Sequence, residues 1–266
     1  MRLGLIAGEG ALPALIAAQQ AEPPFVAALA GFPPEGLQPD LTFRLEHLGT
    51  ALAQMRNAGV TRLCLIGRVR RPEVSADAID AATAPLVPRL MAAMGQGDDG
   101  ALRAIMGILE EAGFSIAGAH EIAAGLLPPA GVIAGTVSAT DEADAARAAQ
   151  IVAAMGRVDV GQACIVAGGQ ALAIEALPGT DHMLQTLAQG RAGGAALPAG
   201  GLLFKAPKPG QDLRADMPTM GPDTITLAAK AGLRGVTLAA GGVLLIERER
   251  CAGLARENGL FLWVRP

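Results

Sequence analysis

The chain has 266 residues, 51% apolar and 17% charged, which is material for one large or two modest buried cores and excludes intrinsic disorder. Twenty-one basic against 25 acidic side chains leave a net charge of -4, without the basic surplus of a general nucleic-acid binder. With no Tyr, one Trp and six Phe, no base-stacking platform is available either, so no nucleic-acid partner is expected.

Taken in order, residues 3–7 form a short apolar run ending in glycine, the signature of a buried strand. Leu12, Leu15 and Ile16 then recur at helical spacing, and residues 25–30 read as a second strand. Leu52, Met55 and Arg56 lie on a helix that stops at Asn57-Ala58-Gly59. Residues 62–66 are a further strand, closed by Gly67. A helix over 86–94 is broken by Gly95-Gln96-Gly97, and Asp98-Asp99 cap another that runs to about 112. This alternation predicts a Rossmann-like parallel sheet in an N-terminal domain spanning 1–127.

Pro- and Gly-rich sequence without charge follows, and a linker is expected over 128–139. The second domain, 140–266, opens with an alanine-rich helix over 141–155. Two hairpins are expected: 163–167 with 171–175 around Gly168-Gly169-Gln170, and 236–239 with 243–246 around Ala240-Gly241-Gly242. A helix over about 247–258 and a strand over 260–264 close the chain. The fold class is therefore α/β, a Rossmann-like domain plus a second α/β domain with hairpins.

Gly8-Glu9-Gly10 interrupts the N-terminal apolar run before a signal sequence takes shape. The charge-free stretch 122–140 carries Pro128-Pro129 and three glycines, so a membrane span is not expected. Cys64, Cys164 and Cys251 are far apart and each sits in an apolar run; they suggest buried small side chains in a reducing compartment, not a disulfide framework or CxxC site.

Four segments carry chemistry. Gly8, Gly10 and Ala11 stand at a strand-to-helix turn whose N–H groups suit a phosphate, or serve the backbone alone. A dinucleotide fingerprint is incomplete there, because Pro13 occupies its third glycine position and no acid follows the second strand. Gly67-Arg68-Val69-Arg70-Arg71, after another strand, is an anion clamp or a solvated basic loop. Lys205, Lys208, Asp212, Arg214, Asp216 and Asp223 gather within 19 residues of a sparsely charged chain. If 212–216 is extended, Asp212, Arg214 and Asp216 share one face. Such a mixture suits metal-assisted phosphoryl chemistry, with a surface salt-bridge network as the plain alternative. Thr180 and Asp181 open a helix and are either caps or ligand contacts. His47, His120 and His182 show no metal-ligand spacing, and neither GxSxG nor HExxH occurs.

The motifs Leu5-Ile6-Ala7-Gly8-Glu9-Gly10-Ala11-Leu12-Pro13, Gly97-Asp98-Asp99, Gly118-Ala119-His120-Glu121, Asp159-Val160-Gly161-Gln162, Glu175 with Gly179-Thr180-Asp181, Lys205-Ala206-Pro207-Lys208-Pro209, Gln211 through Thr219, and Gly221 with Asp223-Thr224-Ile225 span nearly the whole chain in order. Together they resemble the UDP-2,3-diacylglucosamine pyrophosphatase family of lipid A biosynthesis. Glu9 departs from the pattern, which has glycine there. The resemblance implies two α/β domains with the substrate between them, and hydrolysis of UDP-2,3-diacylglucosamine to UMP and 2,3-diacylglucosamine 1-phosphate (lipid X) with Mg²⁺. It also implies a cytoplasmic enzyme peripheral to the inner face of the inner membrane; a homodimer is compatible with it. On this reading Asp223, Lys205 and Asp216 are catalytic, and Asp223, Asp212 and Asp181 are the metal carboxylates. Gly8, Gly10, Ala11, Gly67, Arg68, Arg70, Asp98, Asp99, Thr180, Asp181, Lys208 and Arg214 contact substrate. The competing readings are a sugar-nucleotide or lipid carrier without turnover, and a nicotinamide oxidoreductase.

Overall fold

The computed structural model describes residues 2–70, 72–94 and 98–266, with the backbone alone at 93, 94, 98 and 99. Contacts divide the chain into two units: Met1–Ala124 with Asp212–Asp216, and Gly125–Gln211 with Met217–Pro266.

The first unit alternates strands with helices: β1 (Arg2–Ala7), α1 (Leu12–Ala17), β2 (Phe25–Leu29), β3 (Leu41–Phe43), α2 (Leu48–Asn57), β4 (Val60–Ile66), α3 (Val87–Met94), α4 (Asp98–Glu111), β5 (Ser115–Ile116) and α5 (Ala119–Ile122). All pairings are parallel and the strand order is β3-β2-β1-β4-β5. That is the Rossmann-like order, and it reverses between β1 and β4, where ligands of such sheets bind beyond the carboxyl ends. Leu5, Ala7, Leu63 and Cys64 are fully buried, as expected for strands covered on both faces. Leu52 and Met55 of α2 and Leu109 of α4 pack with Leu63 and Phe114 in one core. Each such side chain contributes about 1.5–3 kcal/mol by leaving water. Ala215, from far along the sequence, packs against the same core.

The second unit holds β6 (Gly131–Ala134), α6 (Ala139–Gly156), β7 (Ala163–Ala167), β8 (Gln170–Ile174), α7 (Gly179–Ala192), β9 (Leu202–Lys205), β10 (Thr219–Met220), α8 (Pro222–Lys230), β11 (Gly235–Ala239), β12 (Leu244–Leu245), α9 (Arg248–Glu257) and β13 (Phe261–Arg265). Its main sheet has the order β6-β13-β11-β9-β7-β8. Strands β9, β11 and β13 are parallel, while β6 and β7 run against them. Alternate residues face opposite layers. Ile165, Leu203, Val236 and Leu238 meet Leu184 of α7, Ile225 of α8 and Cys251 of α9. Cys164, Val166, Leu202 and Phe204 meet Ala145, Ala148 and Val152 of α6. The result is three layers, helices–sheet–helix.

The first expected hairpin is present. Gly168 and Gly169, at φ +57° and +77°, join β7 to β8 by a two-residue turn, and both N–H groups donate to the Asp144 carboxylate at 3.0 and 2.6 Å. The second is not a hairpin: β11 lies inside the main sheet, and β12 pairs in parallel with β10, Thr219 opposite Leu244. The expected linker is also partly strand, since β6 falls within it and pairs with β13. Among the described residues no helix is long and apolar enough to cross a membrane.

This topology assembles an edge. Because β8, β9, β11 and β13 point the same way, Ile174, Lys205, Ala239 and Arg265 end at one side of the sheet. α7 and α8 begin there too, since each leads back to the start of the next parallel strand.

Candidate functional site

The second unit's edge carries a buried polar network. Lys205, the last residue of β9, is only 7% exposed, and its Nζ donates to Thr180 Oγ1 at 3.0 Å. Thr180, in the first turn of α7, donates its hydroxyl to the Glu175 carboxylate. Glu175, also 7% exposed, follows β8; its N–H donates to Ala163 O at 2.9 Å, and its Oε1 accepts from Gln162 N–H at 3.4 Å. A Cβ on Gly161 would lie 2.2 Å from Glu175 O, so the two segments can approach this closely only with glycine there. Gln162 Oε1 is buried and, among the described residues, without a hydrogen-bond partner. Three stretches distant in sequence thus converge on one ammonium at a sheet edge. Such a group neutralises charge on phosphoryl oxygens, and its burial strengthens that effect.

Two carboxylates open helices along the same edge. Asp181 and Asp223 are exposed in the first turns of α7 and α8. The Arg250 guanidinium, held above its ordinary value chiefly by its 2.9 Å bond to Glu247, also feels Asp223. Lys208 pairs with Asp159, whose backbone is left-handed at φ +54°. Among the described residues no three His, Cys, Asp or Glu side chains cluster as a metal cage. Mg²⁺ does not need one: it is commonly held by one or two carboxylates plus substrate phosphates, and Asp181 and Asp223 offer such hard oxygen donors.

In the first unit the glycine turn is tied to the loop after β4. Gly8 N–H donates to Ile66 O at 2.8 Å, Glu9 N–H to Arg68 O at 2.9 Å, and Arg68 N–H to Glu9 O at 3.0 Å. The expected phosphate contact through the Gly8 N–H is therefore corrected: that donor is already used. Gly10, at φ +99°, has open space around it. Glu9 pairs with Arg70 at 3.1 Å, and Arg70 also lies 6.0 Å from the Phe32 ring centre. Arg68 and Arg70 are both exposed. Arg71 and the side chains of Asp98 and Asp99 lie outside the described residues.

Asp212–Asp216 is not extended. Residues 213–215 form a turn, so Asp212, Arg214 and Asp216 do not share the face expected of them. Arg214 folds back on Asp212, with Nη2 to Oδ2 at 2.7 Å and Nε to Oδ1 at 3.0 Å, and reaches Glu110 at 2.9 Å. That hydrogen-bonded guanidinium holds the Asp212 carboxyl below the usual carboxylate range. Asp212 is thus an arginine partner in the first unit, the part that a salt-bridge network would give it. Asp216 belongs to the first unit too, while Lys205 and Asp223 belong to the second. Gly118 lies under His120: a Cβ there would meet the ring at 2.4 Å. His120 Nδ1 is buried with no partner among the described residues.

In the sequence Glu175 and Gln162 stand out only as parts of longer motifs. Glu175 ends an expected strand, and an acid there facing a basic strand end 30 residues later is the signal that could have singled it out.

Residues 2–126 match the family model described as the LpxI N-terminal domain, and 129–263 match the LpxI C-terminal domain. A protein of Caulobacter vibrioides named UDP-2,3-diacylglucosamine pyrophosphatase LpxI is 38% identical over 274 aligned positions, covering 98% of this chain and 96% of that protein.

Proposed function

The chain belongs to the LpxI family, both of whose domains it carries in order, and on that premise we propose that it hydrolyses the diphosphate of UDP-2,3-diacylglucosamine. The products are UMP and 2,3-diacylglucosamine 1-phosphate, Mg²⁺ is required, and the enzyme works in the cytoplasm against the inner face of the inner membrane, where its acylated substrate resides. The observation that carries the reading is the buried Lys205 ammonium at the carboxyl edge of the second unit's sheet, fixed by Thr180.

Each unit supports part of the chemistry. In the first, the β1–β4 switch point with Gly10, Ala11, Arg68 and Arg70 suits the nucleotide phosphate, following the general rule for such sheets. In the second, Lys205 opposes negative charge that develops on the phosphoryl oxygens. Asp223 orients the attacking water or holds Mg²⁺, and Asp181 is the second candidate ligand. Mg²⁺, when bound, neutralises phosphate charge. Thr180, bonded to Lys205, and Lys208, paired with Asp159, are the further candidates for substrate contact in this unit.

The direct test is UMP release from UDP-2,3-diacylglucosamine in the presence of Mg²⁺, with loss on adding EDTA. Binding of the substrate without any UMP release would replace this reading with that of a carrier. A nicotinamide retained from expression would replace it with an oxidoreductase.

A further inference from the structure

We propose that Glu175 is a positioning residue for Lys205, acting through the Thr180 hydroxyl; this rests on Lys205 serving the pyrophosphatase reaction. The chain of contacts is directional. The Lys205 ammonium has protons to give and no lone pair, so Thr180 Oγ1 must accept from it. The Thr180 proton is then free to go only outward, and it goes to Glu175 Oε2. A carboxylate accepts that proton without offering one back, which fixes the hydroxyl rotor with its lone pairs toward Lys205.

The surroundings fix Glu175 in turn. Its backbone is tied to Ala163 at 2.9 Å, its other carboxylate oxygen takes the Gln162 N–H, and Gly161 lies against its carbonyl. Lys205, Thr180 and Glu175 are all buried. A long lysine side chain on a strand end would otherwise sample many rotamers. Here a buried acid one hydroxyl away both balances its charge and restricts its direction. Groups that orient a working side chain in this way are typically worth about 10–100-fold in activity.

The test uses Thr180→Val, Thr180→Ser and Glu175→Gln in the full-length protein, with folding checked by thermal melting. Two readouts are taken: kcat and KM for UMP release, and the rate of Lys205 acetylation by acetic anhydride, read by peptide mass. Thr180→Val and Glu175→Gln should lower kcat about 10-fold or more with little change in KM, and raise Lys205 acetylation severalfold; Thr180→Ser should restore both. The labelling does not depend on turnover. If the wild-type protein releases no UMP yet the labelling pattern holds, the reaction assigned above fails and the positioning stands. Unchanged acetylation in both variants, or a Thr180→Ser protein that behaves like Thr180→Val, overturns the role of Glu175. If Glu175→Gln does not fold, the Thr180 pair alone decides.

Discussion

Gly8 and Gly67 lie where the two loops meet, with no room for a side chain on either: a Cβ on Gly67 would stand 2.7 Å from Gly8 O, and one on Gly8 would stand 2.5 Å from Arg68 O. The obstructing atoms are backbone, held by three hydrogen bonds between the two loops, so they cannot swing aside. Gly8→Ala should therefore cost about 1–3 kcal/mol of stability through overpacking. Gly67→Ala should cost about 1 kcal/mol more, because its φ of +91° also disfavours any side chain. Urea midpoints that fall by these amounts at unchanged slope would bear this out; wild-type midpoints would mean the loops part easily.

Asp223 is exposed at the start of α8, so its removal should spare the fold and act on the reaction. Asp223→Ala is expected to lower kcat by about 100-fold or more while the purified variant still binds substrate. Comparing UMP release with equilibrium binding checks both halves. Turnover at the wild-type rate would remove Asp223 from the mechanism.

Glu46 provides an acid-sensitive element of the first unit. The Arg44 hydrogen bond at 2.6 Å, with the Ser75 N–H at 3.0 Å, lowers its carboxyl from an ordinary 4.5 to about 2. A depressed folded-state pKa gives stability that is complete above pH 4.5 and lost as pH falls toward 2. Glu46→Gln should be less stable than wild type at pH 7 by about 1–3 kcal/mol, with the gap closing over that acid range. Denaturation at stepped pH measures it, and a constant gap would contradict the assignment.

All three cysteines are buried, and burial pushes each thiol up to about 12. Thiolate is the reactive species, so none should react with a thiol reagent at pH 8 while the protein is folded. All three should react in denaturant. Fast labelling of any one in the native protein would show local opening around it.

Much of the architecture could be read from the residues. Apolar runs of four or five residues closed by glycine, such as the one ending at Gly67, predicted the parallel strands of the first unit. Gly168-Gly169 predicted its hairpin because a two-residue glycine turn admits few alternatives. Leu244-Leu245 misled because an apolar pair beside a Gly-Gly turn carries no mark of its partner. That partner, Thr219-Met220, lies 25 positions away and is only two residues long. β6 was hidden by the Pro- and Gly-rich stretch around it.

The site was legible in a similar, partial way. Charge density singled out Lys205 and Asp223 but could not separate side chains that face a ligand from those that satisfy one another. Arg214 and Asp212, two residues apart, close on each other once the backbone turns, whereas spacing on an extended strand had placed them side by side. Glu175 carried no density signal; only folding brings it to Thr180.

The chain passes from one unit to the other three times, because five residues of the later sequence are structural members of the earlier unit. Arg214 fastens to Glu110 there and Ala215 packs, half-buried, against its apolar core. Splitting the gene after codon 124 would consequently not give two self-sufficient products. The amino-terminal fragment would be missing a rivet that only its sister polypeptide encodes, so the halves should be recoverable when co-produced and should precipitate when made apart.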